Sequence, residues 1–118
     1  MVQHIAWKDV ELEHLAPTIT RRMVTGEKVM TVIVELEKGA VVPAHSHESE
    51  QIAYVMEGAI RFTFEDGSTK DVTKGEVLVI PSNVVHAAEA LEDTVDLDIF
   101  SPIREDWLSG DDAYLRGK

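Results

Sequence analysis

Residues 39–58 read GAVVPAHSHESEQIAYVMEG: a glycine turn, an extended run through Pro43, two histidines on alternate positions, and an apolar strand that opens on Gln51 and closes at Gly58. In extended backbone alternate side chains share a face, so His45 and His47 point the same way, a spacing suited to chelation. Gln51 lies four residues beyond His47, and its amide oxygen reaches the same point if the chain reverses between them. An isolated His-x-His is a weak signal, because most such histidines are solvated or hydrogen-bonded. The weight lies in the whole spacing of Gly39, His45, His47, Gln51 and Gly58.

Outward from this stretch, period-two hydrophobicity dominates. Met30, Val32, Val34 and Leu36 share one face of a strand that ends at Lys38-Gly39, and Ile60, Phe62 and Phe64 alternate with Arg61, Thr63 and Glu65. Turn chemistry separates the runs at Glu57-Gly58, Asp66-Gly67, Lys74-Gly75 and Pro81-Ser82-Asn83. Strands recurring about every 8 to 12 residues give an all-β chain, a sandwich or barrel of jelly-roll type. Residues 10–15 suit a short helix or loop. Residues 102–108 suit a short C-terminal helix or turn, with Ser101 capping and Pro102 at its first position.

The 118 residues fit one domain, residues 1–118. The absence of cysteine excludes disulfides and thiolate ligands, leaving histidine, carboxylate and amide donors for any metal. A net charge of −11 argues against nucleic acid and anionic lipid as partners. No apolar run approaches the roughly 20 residues of a membrane span, and residues 1–8 lack a signal-peptide pattern, which predicts a cytoplasmic protein. The same negative field hinders a small anion at long range, so a site for one needs local positive charge from a metal and an arginine.

The pattern of residues 39–58 resembles the first motif of the cupin family, with glutamine where glutamate is usual; a second motif resembles Gly75, Pro81-Ser82-Asn83 and His86, with Asn83 where glycine is commoner and Ala90 where an asparagine is often found. The resemblance covers about residues 29–100. It implies a double-stranded β-helix, or cupin barrel, with His45, His47, Gln51 and His86 holding one divalent metal per chain. Such ligands suit Ni, Zn, Fe, Mn or Co and leave a position for water or substrate. Three neutral imidazoles and a neutral amide leave the full 2+ charge on the ion, a stronger Lewis acid than a glutamate-bound one. His4 and His14 lie outside both motifs and read as surface histidines.

Residues 95–100 carry Val95, Leu97 and Ile99 on one face and Asp96, Asp98 and Phe100 on the other. A solvated acidic face is one reading; Phe100 among the acids favours a cavity wall. His45-Ser46-His47, Gln51 and the run from Asp98 through Phe100-Ser101-Pro102-Ile103-Arg104 to Asp106 resemble the small cupins that linearise unsaturated uronates in pectin and alginate breakdown. That resemblance implies Asp98 as catalytic carboxylate, with Phe100 and Arg104 binding an anionic sugar substrate, and also a homodimer, for which the chain up to Arg22 is the candidate packed or exchanged segment. Bland alternatives stand beside these roles: a core position for Phe100, and an ion pair with Glu105 or Asp106 for Arg104. Other functions compatible with the barrel are a metal-dependent lyase or dioxygenase, or a non-catalytic cupin binding a small ligand.

Overall fold

Alternating apolar residues close this chain into two facing sheets, seen in a computed structural model that describes residues 1–116; the last two residues of the expected domain lie outside the described residues. The strands are β1 (Glu13–Ala16), β2 (Ile19–Thr25), β3 (Met30–Leu36), β4 (Val41–His45), β5 (Glu50–Glu57), β6 (Ala59–Phe64), β7 (Thr69–Thr73), β8 (Val77–Ile80), β9 (His86–Ala90) and β10 (Thr94–Ser101). One sheet has the order β1-β2-β3-β10-β5-β8 and the other β4-β9-β6-β7, with every pairing antiparallel. From β3 onward the chain steps from sheet to sheet at nearly every connection, which is the winding of a double-stranded β-helix.

The inward face of β3 carries Met30, Val32, Val34 and Leu36, all buried against Ile60 and Phe62 from the opposite sheet. β10 runs between β3 and β5, and its inward residues are Thr94, Asp96, Asp98 and Phe100. Their register places Asp98 between Val32 and Ala53, and Phe100 between Met30 and Gln51. The alternation in residues 95–100 therefore encodes a wall of the barrel interior.

Two local expectations change. Of the short helix or loop expected over residues 10–15, the loop holds for residues 10–12, after a 3-10 turn at Trp7–Asp9, while Glu13 begins β1, where the edge pairing Glu13 to Arg21 supplies backbone partners that a lone helical turn lacks. The C-terminal helix, α1 (Glu105–Ser109), starts later than Pro102, with Arg104 at its N-cap position. Ser101 cannot cap it, because that residue ends β10 and its hydroxyl donates to the Lys28 carbonyl at 2.8 Å.

The departures of the second motif are accommodated by chain geometry. Asn83 adopts φ 65°, the left-handed region where asparagine is the usual substitute for glycine, and its N–H donates to the His47 carbonyl at 2.8 Å. Ala90 is buried and exchanges backbone hydrogen bonds with Gly39 and Ala40.

Gly58 sits where the chain leaves β5 for β6 of the other sheet. Its φ is +89°, and a Cβ there would lie 2.4 Å from the Asp93 carbonyl oxygen and 2.5 Å from Thr94 Oγ1. Gly39 has the same φ with nothing within 4 Å. In urea unfolding Gly58→Ala should therefore lose at least about 2 kcal/mol and Gly39→Ala only about 1 kcal/mol. Equal losses would remove the close approach as the reason for glycine at Gly58.

Candidate active site

His45 ends β4 and His86 begins β9, opposite one another in the register of the smaller sheet. His47 follows β4 by two residues. The three histidines offer nitrogen atoms all within 4.8 Å of one another. Each Nδ1 lies 2.8 Å from a backbone carbonyl: His45 on Pro43, His47 on Ser49 and His86 on Val84. A carbonyl can only accept, so each Nδ1 carries the proton and each Nε2 presents a lone pair. His86 Nε2 is buried without a hydrogen-bond partner. This is the arrangement by which backbone groups orient metal-binding imidazoles.

Gln51 completes the set from the second position of β5. Its Nε2 donates to Asp98 Oδ1 at 2.9 Å, which turns Oε1 toward His47 Nε2 at 3.1 Å. Two lone pairs face each other across that distance, a repulsive contact unless a cation lies between them. The convergent, unpartnered lone pairs fit a divalent metal held by His45, His47, His86 and the Gln51 amide oxygen.

Burial holds the imidazoles neutral. His45 is pushed down to about 4, chiefly by desolvation; the hydrogen bond to Pro43 works against this, and the neighbouring His86, His47 and Arg104 add to it. His47 and His86 are also lowered, again mainly by burial.

A cavity runs inward from this cluster, lined in part by His45, Gln51, His86, Asp98, Phe100 and Arg104, so six of the seven site residues expected from the sequence meet around one space. His47, the seventh, stands with its ring edge-on to Phe100 at 5.5 Å. His4 and His14 are exposed, as expected.

Asp98 is buried, and desolvation raises its pKa, while hydrogen bonds with Asp96 and Gln51 and the charge of Arg104 oppose the rise. Asp96, one inward position along β10, is raised well above the usual carboxylate range by burial, by the Asp98 charge and by its hydrogen bond to Asp98. Two carboxyls in one dry space do not both ionise. Of the two, Asp96 is shifted further toward the protonated form, and Asp98 is raised less because Gln51 and Arg104 favour its carboxylate. The period-two spacing of residues 95–100 marks Asp96 as a member of this face but carries no signal of a role for it.

Arg104 is buried over Phe100, 5.2 Å from the ring, and pairs with Asp106 through Nε at 3.0 Å and Nη2 at 2.7 Å. Its Nη1 is buried without a partner. The ion pair and the free donor coexist on one guanidinium. Phe100, 1% exposed, is the platform under both Arg104 and His47. A second buried arginine, Arg21 of β2, lines the same cavity; its partners are Glu13 and Asp112. Trp107 lies between the two guanidiniums, 4.9 Å from Arg21 and 4.5 Å from Arg104. Sequence reading missed Arg21, because a basic residue in an edge-proximal strand carries no pattern that marks it as buried.

Neutral imidazoles have a measurable consequence. Zinc uptake by the apo protein at pH 6 should release well under the about 2.3 protons expected from three free imidazoles of pKa 6.5. Calorimetric titration in buffers of different ionisation enthalpy reads this number, and a value near 2.3 would mean solvated histidines.

Residues 32–101 match the cupin domain family. The pectin degradation protein KdgF of Dickeya dadantii (strain 3937) is 34% identical over 99 residues, 81% of this chain and 89% of that protein. The structure of KdgF from Halomonas sp. superposes with a TM-score of 0.83 at 33% identity, covering 91% of this chain and 99% of that one. An RmlC-like cupin from Shewanella frigidimarina NCIMB 400 gives 0.81 at 30% identity, covering 90% and 96%. Bacillus subtilis oxalate decarboxylase, a protein with Mn(II) centres, gives 0.78 at 26% identity; there this chain spans only 34% of the other. With its motifs, its barrel and these relatives in agreement, the chain belongs to the cupin family, in the company of the pectin degradation protein KdgF.

Proposed function

We propose that this protein opens 4-deoxy-4,5-unsaturated uronate monosaccharides to linear 5-keto acids, using one divalent metal held by His45, His47, Gln51 and His86. The observation that carries the reading is the buried Asp98 carboxylate, hydrogen-bonded to the amide that faces the histidine cluster, with an unpartnered Arg104 donor in the same cavity. The kinship with KdgF, a pectin degradation protein, supports it.

Ring opening moves one proton. Asp98 takes it from the anomeric hydroxyl as the bond from C1 to the ring oxygen breaks; C1 becomes an aldehyde, and the electron pair leaves an enolate over the former ring oxygen, C5 and C4. Asp98, now protonated, delivers the proton to C4 and C5 becomes a ketone. A base that must also act as acid benefits from a pKa shifted toward neutrality, which burial of Asp98 provides. Arg104 Nη1 anchors the sugar carboxylate, and Phe100 holds that guanidinium in place. The metal, when bound, supplies Lewis-acid stabilisation of oxyanionic charge; its identity among Ni, Zn, Fe, Mn and Co is open to measurement. The reading includes a cytoplasmic location, and among the described residues no helix is long and apolar enough to cross a membrane.

The assembly proposed is a homodimer through the outer face of the larger sheet. There Ile33, Leu97, Tyr54 and Val77 form one cross-strand row, which reaches Arg22 only on β2, and Ile99, Ile52 and Val79 form the next. Val77 and Val79 are each 56% exposed. β2 pairs with this chain's own β3 and β1 with β2, which leaves the exposed residues 1–6 as the part of the segment up to Arg22 proposed to meet a partner.

Metal-loaded protein should abolish the ultraviolet band of the conjugated double bond of unsaturated galacturonate or guluronate; an unchanged band sinks the reaction. Asp98→Asn should lower kcat by about 10² to 10⁴ with metal content unchanged. Arg104→Ala should chiefly raise KM, by a factor worth about 2 kcal/mol. For the assembly, light scattering should give a dimer, and Val79→Glu should yield monomers that keep their metal; a monomeric wild type at micromolar concentration removes the dimer.

A further inference from the structure

We propose that Tyr114 is the gate of this site: it closes the barrel mouth over His45 and occupies the edge of Arg104 that an anionic ligand needs, so a uronate enters by displacing it. The proposal rests on the reading of the cavity as a uronate site.

Tyr114 lies in the 3-10 turn Ala113–Leu115 beyond α1. Its ring centroid is 4.8 Å from that of His45, inclined 31°. Its hydroxyl accepts from Arg104 Nη2 at 2.8 Å and from Trp107 Nε1 at 2.9 Å. His45, Arg104 and Trp107, three residues that Tyr114 touches, line the cavity, which measures about 60 Å³, room for about four waters and too little for a sugar ring. Something at the mouth must yield.

The backbone around Tyr114 is fixed on both sides. Asp112 is fully buried, ion-paired with Arg21, and accepts from Arg116 Nε at 2.8 Å; Leu115 is buried in the core cluster. Tyr114 itself is only half-buried. The part that can move at low cost is therefore the tyrosine side chain, swinging outward about an anchored turn. Its departure frees one N–H of Nη2 beside the unpartnered Nη1 of Arg104, while Asp106 keeps its bonds to Nε and to the other N–H of Nη2. The Nη1 donor and the freed N–H of Nη2 form the fork that a carboxylate accepts in bidentate fashion. A neutral sugar gains nothing at Arg104 to offset the two hydrogen bonds lost by the tyrosine hydroxyl, so the gate selects for an anion.

Trp107 is a built-in reporter, because its indole N–H is bonded to the hydroxyl that leaves. In a zinc-loaded Trp7→Phe background, where Trp107 is the one remaining tryptophan, D-galacturonate serves as a saturated, unreactive probe and glucose as its neutral counterpart. Galacturonate should shift Trp107 emission saturably and glucose should not. Tyr114→Phe, which keeps the ring and deletes the hydroxyl, should shift the emission without ligand and bind galacturonate about three- to tenfold tighter, since the competitor for Arg104 is gone. Tyr114→Ala should speed association in stopped flow. Calorimetric binding of galacturonate with silent Trp107 emission, wild-type affinity in Tyr114→Phe, or no binding to wild type and Tyr114→Ala alike would each overturn the gate. Turnover separates it from the reaction: Tyr114-dependent binding without ring opening keeps the gate and removes the reaction, and ring opening indifferent to both substitutions does the reverse.

Discussion

One hydrogen bond, from Gln51 Nε2 to Asp98 Oδ1 at 2.9 Å, decides how both halves of the site face. An amide has one donating end and one accepting end. Because the carboxylate can only accept, it takes the NH2 group and leaves Oε1 toward His47 Nε2, 3.1 Å away. Flipping the amide would set its oxygen against the carboxylate and would spend the His47 Nε2 lone pair on a hydrogen bond from the NH2 group, removing it from the point at which the histidines converge. Glutamate here could serve a metal but would oppose Asp98 with a second negative charge. The glutamine that stands where cupins usually carry glutamate thus both ligates and orients, which accounts for its presence beside a buried acid.

That bond sits within an interior unusually rich in ionisable groups for a barrel of this size. Asp96, Asp98, Arg21, Arg104 and Asp112 are all buried. Each is compensated locally: the two carboxyls on β10 share a proton, Arg21 is paired with Glu13 and Asp112, and Arg104 with Asp106 and Tyr114. Trp107 between the two guanidiniums adds cation–π attraction to both. Such networks rarely stabilise a fold beyond what apolar packing of the same volume would, and losing one member leaves an unpaired buried charge at about 3 to 5 kcal/mol. Their concentration at one end of the barrel is better understood from the chemistry placed there than from stability.

The larger part of this arrangement was legible in the sequence because it is written in period two. Strand alternation set the inward face of β3, and in residues 95–100 it put Asp96, Asp98 and Phe100 on one side. Spacing in residues 39–58 brought His45, His47 and Gln51 together, and His86 followed from resemblance. The illegible parts depend on tertiary contact. Residues 13–15 joined an edge strand because β2 offered backbone partners, and the terminal helix started late because Ser101 was held in β10. Arg21, Asp112 and Tyr114 come from opposite ends of the chain, and no periodicity joins an arginine in β2 to an aspartate ninety-one positions on.

The charge balance gives these buried cations a further consequence. A chain of net charge −11 repels small anions at a distance, but beyond a Debye length of about 8 Å at physiological ionic strength that repulsion is largely screened. Inside the mouth the relevant field is local: the guanidinium of Arg104, the more deeply placed Arg21, and a site built to hold a divalent cation with neutral ligands. These groups are buried, so their charges act at a lower effective dielectric than in bulk water, and the upward shift of Asp96 weakens one opposing charge. Selectivity for an anionic sugar in so acidic a protein is therefore set over the last few ångströms, where Asp106 and Tyr114 decide how much of the arginine is open to it.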